Sequence, residues 1–239
     1  IKTGPILDLL KHDKDMPKRL KDDYQSVLSD YYLRTEQYKK AKEALFKAAI
    51  VTKKKSVRGR YLYILAQLYE EEGDMKKATQ YYAWSARLHP SYEMEFNARL
   101  AKARTFQVEN GAGTKNLKKE LTKMLKDEKN TEFLDQIYYA LGNIAARENN
   151  VADALSYFKL SAQSSMTNTR QKAISYLSIA DIYFDQKEYK SAQAYYDSTI
   201  NFLPTDFKNY EQVKNKKESL TAMIKNIGII SREDSLLKV

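Results

Sequence analysis

Few residues of this chain could do chemistry on their own. Its 239 residues include two histidines, His12 and His89, and no cysteine, which removes disulfides, thiolate zinc sites and cysteine nucleophiles together. His89 stands directly before Pro90, at a corner, and His12 follows a short amphipathic segment, so both read as surface or turn residues. The acids of EEEGD, residues 70–74, run into a glycine, the ordinary punctuation of a helix C-terminus. NGAGTKN, residues 110–116, glances at a phosphate-binding loop. That loop requires Gly, four residues and then Gly-Lys-Ser/Thr after a strand, whereas here Thr114 precedes Lys115 between two helical stretches. It reads instead as a widened turn whose glycines permit positive φ. With no nucleophile, acid–base pair or metal cluster at workable spacing, the chain reads as a non-enzyme, and no cofactor is expected.

What remains is surface. The formal charge is +10, with local clusters at Lys53, Lys54, Lys55 and Arg58 and at Lys115, Lys118, Lys119, Lys123 and Lys126. Such a field attracts acidic partners, anionic lipid heads or nucleic acid. No nucleic-acid motif accompanies it, which counts against nucleic acid, and the interspersed acids read the lysines as the solvated faces of amphipathic helices. No stretch approaches the roughly 18 consecutive apolar residues of a membrane span. The opening IKTGPILDLLKHD has neither a charged n-region nor a long apolar h-region, and the chain, starting without Met and ending SREDSLLKV, reads as a fragment.

The elements that must present this surface are helices. Only seven Gly and four Pro occur, while 43% of the chain is hydrophobic, as in an all-α protein. A long period underlies it: QYYAWSARLHP (80–90) and AYYDSTINFLP (194–204) place Tyr81 and Tyr195, and likewise Pro90 and Pro204, 114 residues apart, three units of 38. Counting from Ala66, Tyr69 lies three on, Ala78 twelve, Tyr82 sixteen and Pro90 twenty-four; Ala180, Tyr183, Ala192, Tyr196 and Pro204 repeat those offsets. Gly142, Ala145, Ala154 and Phe158 fit with Met166 in the place of the proline, and Ser29, Tyr32, Ala41 and Leu45 fit more loosely. Around Ala101 the first helix is recognisable, but Leu117, Leu121 and Met124 carry the second about four residues late. The small residues let paired helices approach closely and the aromatics fill the space beside them.

This pattern resembles the tetratricopeptide repeat. The resemblance implies a right-handed superhelical solenoid of about five helical hairpins with a C-terminal capping helix. Residues 1–16 read as the remnant of a preceding helix, 17–204 as the five hairpins, 205–228 as the capping helix opened by Thr205-Asp206, and 229–239 as a tail leaving the solenoid. First helices would line the concave side. Their outward residues then form the candidate partner-binding groove: Tyr63, Gln67 and Glu70 in the second hairpin, Tyr139, Asn143 and Arg147 in the fourth, Asp181, Phe184 and Asp185 in the fifth. Chaperone-tail-binding members of this superfamily clamp a terminal carboxylate with Lys, Asn and Arg. Here only Asn143 and Arg147 match, with Ser26 and Tyr63 standing where basic or amide residues belong, so that activity is not expected.

A narrower resemblance rests on MLKDEKNTEFLDQIYYALGNIA (124–145), QKAISYLSIADIYFDQKEYKSAQAYYDST (171–199) and the closing SREDSLLKV. These stretches are similar to the repeat region of SprE/PorW-type lipoproteins of type IX secretion and gliding motility. That resemblance implies a periplasmic, outer-membrane-anchored scaffold whose partners are secretion-machine components, with membrane contact only through a lipid anchor outside this stretch; the lipidated cysteine of such proteins does not occur here. Within DEKNTEFLDQIYY, Asp127, Asn130 and Asp135 are expected to hold the linker between the third and fourth hairpins by side-chain bonds to backbone amides, with Asn130-Thr131 capping the next helix. Two alternatives stand beside the scaffold: a basic surface-binding module for anionic lipid or nucleic acid, and a regulatory accessory unit of an envelope enzyme.

Overall fold

The structure is a computed structural model describing residues 3–13, 15–107 and 113–236. Every regular element among them is a helix, and the chain divides into two compact units, residues 1–107 and 108–239. The first holds α1 (Thr3–His12), α2 (Lys18–Arg34), α3 (Tyr38–Val51), α4 (Lys55–Glu71), α5 (Met75–Arg87) and α6 (Tyr92–Thr105). The second holds α7 (Thr114–Leu125), a 3-10 turn (Glu128–Phe133), α8 (Leu134–Arg147), α9 (Val151–Ser164), α10 (Thr169–Asp185), α11 (Tyr189–Phe202) and α12 (Tyr210–Leu236). The pairs α2/α3, α4/α5, α8/α9 and α10/α11 are helical hairpins, each joined by a short bend.

Side-chain size sets the spacing within each hairpin. Ala66, Ala78, Ala145, Ala154, Ala180 and Ala192 are all completely buried. Gly142 goes further, since a Cβ there would stand 2.6 Å from the Phe158 ring. The facing second-helix positions Leu45, Tyr82, Phe158 and Tyr196 are buried as well. A hydroxyl ties two of the hairpins at one position: Ser85 Oγ donates to the Gly59 carbonyl at 2.8 Å, and Ser161 Oγ to the Asp135 carbonyl at 2.7 Å. The tyrosine next to each ring-filling tyrosine covers the joint between hairpins. Tyr81 stacks on Tyr69 at 5.3 Å and packs against the core of α3 and α4, and Tyr195 stacks on Tyr183 at 5.6 Å against the core containing Phe158.

The bends inside the hairpins share one backbone solution. Glu36, Gly73, Asn149 and Lys187 take positive φ of 56°, 85°, 58° and 63°, each seven residues after its anchor. The next amide reaches back into the helix, Gln37 to the Tyr32 carbonyl, Asp74 to Tyr69, Asn150 to Ala145 and Glu188 to Tyr183, each at 2.9 Å. This is the six-to-one closure that ends a helix through a left-handed residue, and three of the four bends make it without glycine. Side-chain caps start the following helices where the sequence offers them. Asp74 accepts from the Lys77 amide, Ser91 from Met94, Asn150 from Asp153 and Asn168 from Gln171.

Three expectations change. The third hairpin does not sit within one unit: α6 belongs to the first and α7 to the second. Most of NGAGTKN lies outside the described residues; Gly113, at φ 94°, leads into α7. In the linker, Asp127 and Asp135 do accept from backbone amides, of Lys129 and Gln136. Asn130, however, is buried and donates to the Met124 carbonyl, Thr131 donates to Glu128, and the segment winds as a 3-10 turn, so α8 begins at Leu134 rather than behind an Asn130-Thr131 cap. The last helix begins five residues later than Thr205, because Phe207 folds in a turn against the α10–α11 core. It also runs through Gly228 to Leu236; one interior glycine costs a helix only about 1 kcal/mol relative to alanine.

Candidate partner-binding face

The candidate residues lie on α4, α8 and α10, and none of them is buried. On α4, Tyr63, Gln67 and Glu70 form one stripe, with Gln67 exposed and the other two half-buried. Glu70 is fully engaged. Its carboxylate accepts the Tyr82 hydroxyl at 2.8 Å and a two-pronged contact from Arg104 of α6, Nε to one oxygen and Nη2 to the other, both at 2.8 Å. Tyr63 lies edge-on to Tyr82 at 5.3 Å. Burial raises the Tyr63 phenol pKa, the Arg104 charge opposes that and Glu70 adds to it. Burial likewise raises Tyr82, helped by its bond to Glu70.

On α8, Tyr139 packs its ring against Phe158 at 5.3 Å and points its hydroxyl at Ser178 of α10, 3.3 Å away. Asn143 is half-buried one turn on, and Arg147 is exposed at the helix end. Burial around the Arg147 guanidinium lowers its pKa, and Tyr139 opposes the shift. Ser178 opens the next stripe, which continues through Asp181 to Asp185. Asp181 accepts the Tyr196 hydroxyl at 2.6 Å and Lys216 Nζ of α12 at 3.0 Å. The same ammonium lies over the rings of Phe184 and Tyr196, 5.5 and 5.6 Å from their centroids. Burial raises the Tyr196 phenol first, then its bond to Asp181, then the charges of Asp181 and Asp185.

The second unit thus brings its six candidate residues onto two neighbouring helices, α8 and α10, and the first unit aligns its three on α4. Sequence reasoning missed Lys216, Arg104, Ser178 and Tyr196 as members of these faces. Lys216 carried a signal: it is three residues after Val213 in the apolar stripe of α12, on the side that packs. Arg104 lies three residues after Ala101, the offset at which α2, α4 and α10 carry a tyrosine and α8 carries Ala145.

Both histidines make local contacts. His12 Nδ1 lies 2.9 Å from the Asp8 carbonyl; His89, at φ 47°, pairs with Glu95 at 2.6 Å. Burial raises the Glu95 carboxyl, but the bonds from His89 and Arg99 outweigh it and the net shift is downward. Among the described residues no group of His, Cys, Asp or Glu could hold a metal ion, and no helix is long and apolar enough to cross a membrane.

Two stretches match models of the tetratricopeptide repeat, residues 27–93 and residues 173–198. The repeat therefore occurs in both units, and such repeats typically mediate protein–protein contact. No curated protein matches the chain. Among solved structures, one described as the functional characterisation of pilF from Pseudomonas aeruginosa is similar at 18% identity and a TM-score of 0.46, covering 88% of this chain and 93% of that one. BtubC from P. vanneervenii is similar at 15% identity and a TM-score of 0.38, covering 88% and 80%.

Proposed function

We propose that this chain is a non-enzymatic docking scaffold that takes an extended protein segment along its first-helix faces, and that it serves type IX secretion and gliding motility from the periplasm. A lipid anchor outside this stretch would hold it to the outer membrane. The observation that carries the docking reading is the face of the second unit. There Tyr139, Phe184 and the half-buried Asn143 alternate with charges of both signs, Arg147, Asp181, Asp185 and Lys216, on adjacent helices. Aromatic rings flanked by charge supply anchoring area together with register. The secretion and location parts rest on the similarity of residues 124–145 and 171–199 to the SprE/PorW-type repeat region. Capture from an envelope extract with the purified chain tests both parts. Secretion-machine components are expected in the captured fraction, reduced about tenfold by Tyr139→Ala or Phe184→Ala. Recovery unchanged by both substitutions removes the face, and a fraction without secretion components removes the pathway.

A further inference from the structure

We propose that the second-helix side of the first unit, from α3 through the loop at 52–54 and onto α5, is a docking surface for an anionic phospholipid bilayer. The charge of the chain is unevenly spread. Residues 1–107 hold 22 Lys and Arg against 14 Asp and Glu, and residues 108–239 hold 19 against 17. Between Lys39 and Arg60 the imbalance is greatest, nine basic residues against Glu43 alone.

The same stretch leaves apolar side chains in water. Phe46 is 43% exposed and Ile50, one turn on, 61%, and Lys53, Lys54 and Lys55 follow, all exposed. Core packing does not require these two, since α3 already buries Ala41, Ala44, Leu45, Ala48 and Ala49. On α5, Trp84 is 38% exposed and stands edge-on to Tyr81 at 5.2 Å. Tyr81, Tyr69 and Phe46 line one cleft of about 400 Å³ with Lys39, Lys42, Lys77, Glu43 and Glu72, in which Lys42 pairs with Glu72 and Lys77 with Asp74, so the net positive charge of the surface comes from Lys39 and the loop lysines. The lysine-rich α7 shows the contrast: its Leu117, Leu121 and Met124 are buried, and its exposed residues, Lys115, Asn116, Lys119, Thr122 and Lys123, are all polar. In α3 the greasy residues share the exposed arc with the cations.

The lysines of the loop are also placed against local electrostatics. Lys54 is the N-cap of α4 and Lys55 its first residue, with no side-chain cap and no acid in the first turn, where the helix dipole disfavours cations. An anionic surface reverses that sign. The shape selects among anionic occupants. Ile50 and Trp84 lie outside the cleft, so they suit a medium that yields around them, and Trp and Tyr beside lysine suit the headgroup layer. A soluble polyanion would use the lysines and leave Phe46, Ile50 and Trp84 in water.

Trp84 is the chain's only tryptophan, so its emission reports the contact directly. With vesicles containing phosphatidylglycerol at low salt, the protein is expected to co-sediment and the emission to move to the blue; with phosphatidylcholine alone, neither occurs. Changing Lys53, Lys54 and Lys55 together to Gln is expected to lower partitioning roughly a hundredfold, and Ile50→Ser about tenfold with a smaller emission shift, both with wild-type circular dichroism. The proposal is overturned by no binding to anionic vesicles at low salt, by binding that neither variant weakens, or by equally tight binding of a single-stranded oligonucleotide or polyglutamate without an emission shift. Tyr139→Ala and Phe184→Ala leave partitioning unchanged, so this test and the capture test fail independently.

Discussion

Tyr82 and Tyr196 occupy the same place in two hairpins, 1% and 0% exposed, yet different chemistry restrains them. In each case a phenol donates to a carboxylate on the first helix, and a cation from the following first-helix position or capping helix closes the group. In the first unit the acid is Glu70, four residues past its anchor, and the cation is Arg104, gripping both oxygens. In the second it is Asp181, one residue past its anchor, and the cation is Lys216, which reaches one carboxylate oxygen at 3.0 Å. The shorter acid sits a turn earlier, and both reach the same phenol position. The repeat therefore fixes where the ring goes, and the polar partner is solved locally each time.

The largest way to break this equivalence is to remove the rings. Tyr82→Ala and Tyr196→Ala are each expected to cost about 3–5 kcal/mol in denaturant unfolding; a much smaller loss at one site would show that its hairpin collapses around the vacancy and that the two are not equivalent. Removing the acids sharpens the contrast. Glu70→Gln is expected to cost about 2 kcal/mol, since three bonds to a carboxylate only 22% exposed are weakened. Asp181→Asn is expected to cost about 1 kcal/mol or less, because acid and lysine are nearly half exposed. Equal losses would contradict the distinction drawn from the geometry.

A pH series tests what the two sites share. Both phenols are raised above their ordinary value, by burial first and by the carboxylate second. A phenol raised in the folded state holds its proton more tightly there than in the unfolded chain. Its contribution is whole below the ordinary value near 10 and is lost as pH climbs above it. The double variant Tyr82→Phe/Tyr196→Phe is therefore expected to lose less stability than the parent between about pH 9 and pH 11. The smallest effect concerns the bends. Asn149→Gly and Lys187→Gly are expected to stabilise their hairpins by about 0.5–1 kcal/mol, and Gly73→Ala to destabilise its own by a similar amount. Melting temperatures suffice to rank the three.

The comparison also shows what a sequence can display. Ala66, Ala78, Tyr82 and their counterparts were legible because size and spacing are one-dimensional signals, and the helices built on them form where the offsets place them. The acids were not legible as partners, because Glu70 and Asp181 keep no common offset and only the fold shows that both reach a phenol. Lys216 looked like one lysine among several until α12 was packed against α11. The division at residues 107 and 108 had a visible cue in the late second helix of the third hairpin, but a delayed period reads equally as a long turn. Six of the nine face residues were placed on adjacent helices by register alone. Their engagement, with Glu70 already saturated and Asp181 half-open, depended on side-chain reach.

The contact between Gly142 and Phe158 bears on how such a chain changes over generations. A duplication or exchange that cuts before Leu134 and after Ser164 carries the missing methyl and the ring together and keeps the fit. One that cuts between α8 and α9 can join a ring to a helix with no notch for it, so the inherited module at this place is the hairpin, not the helix.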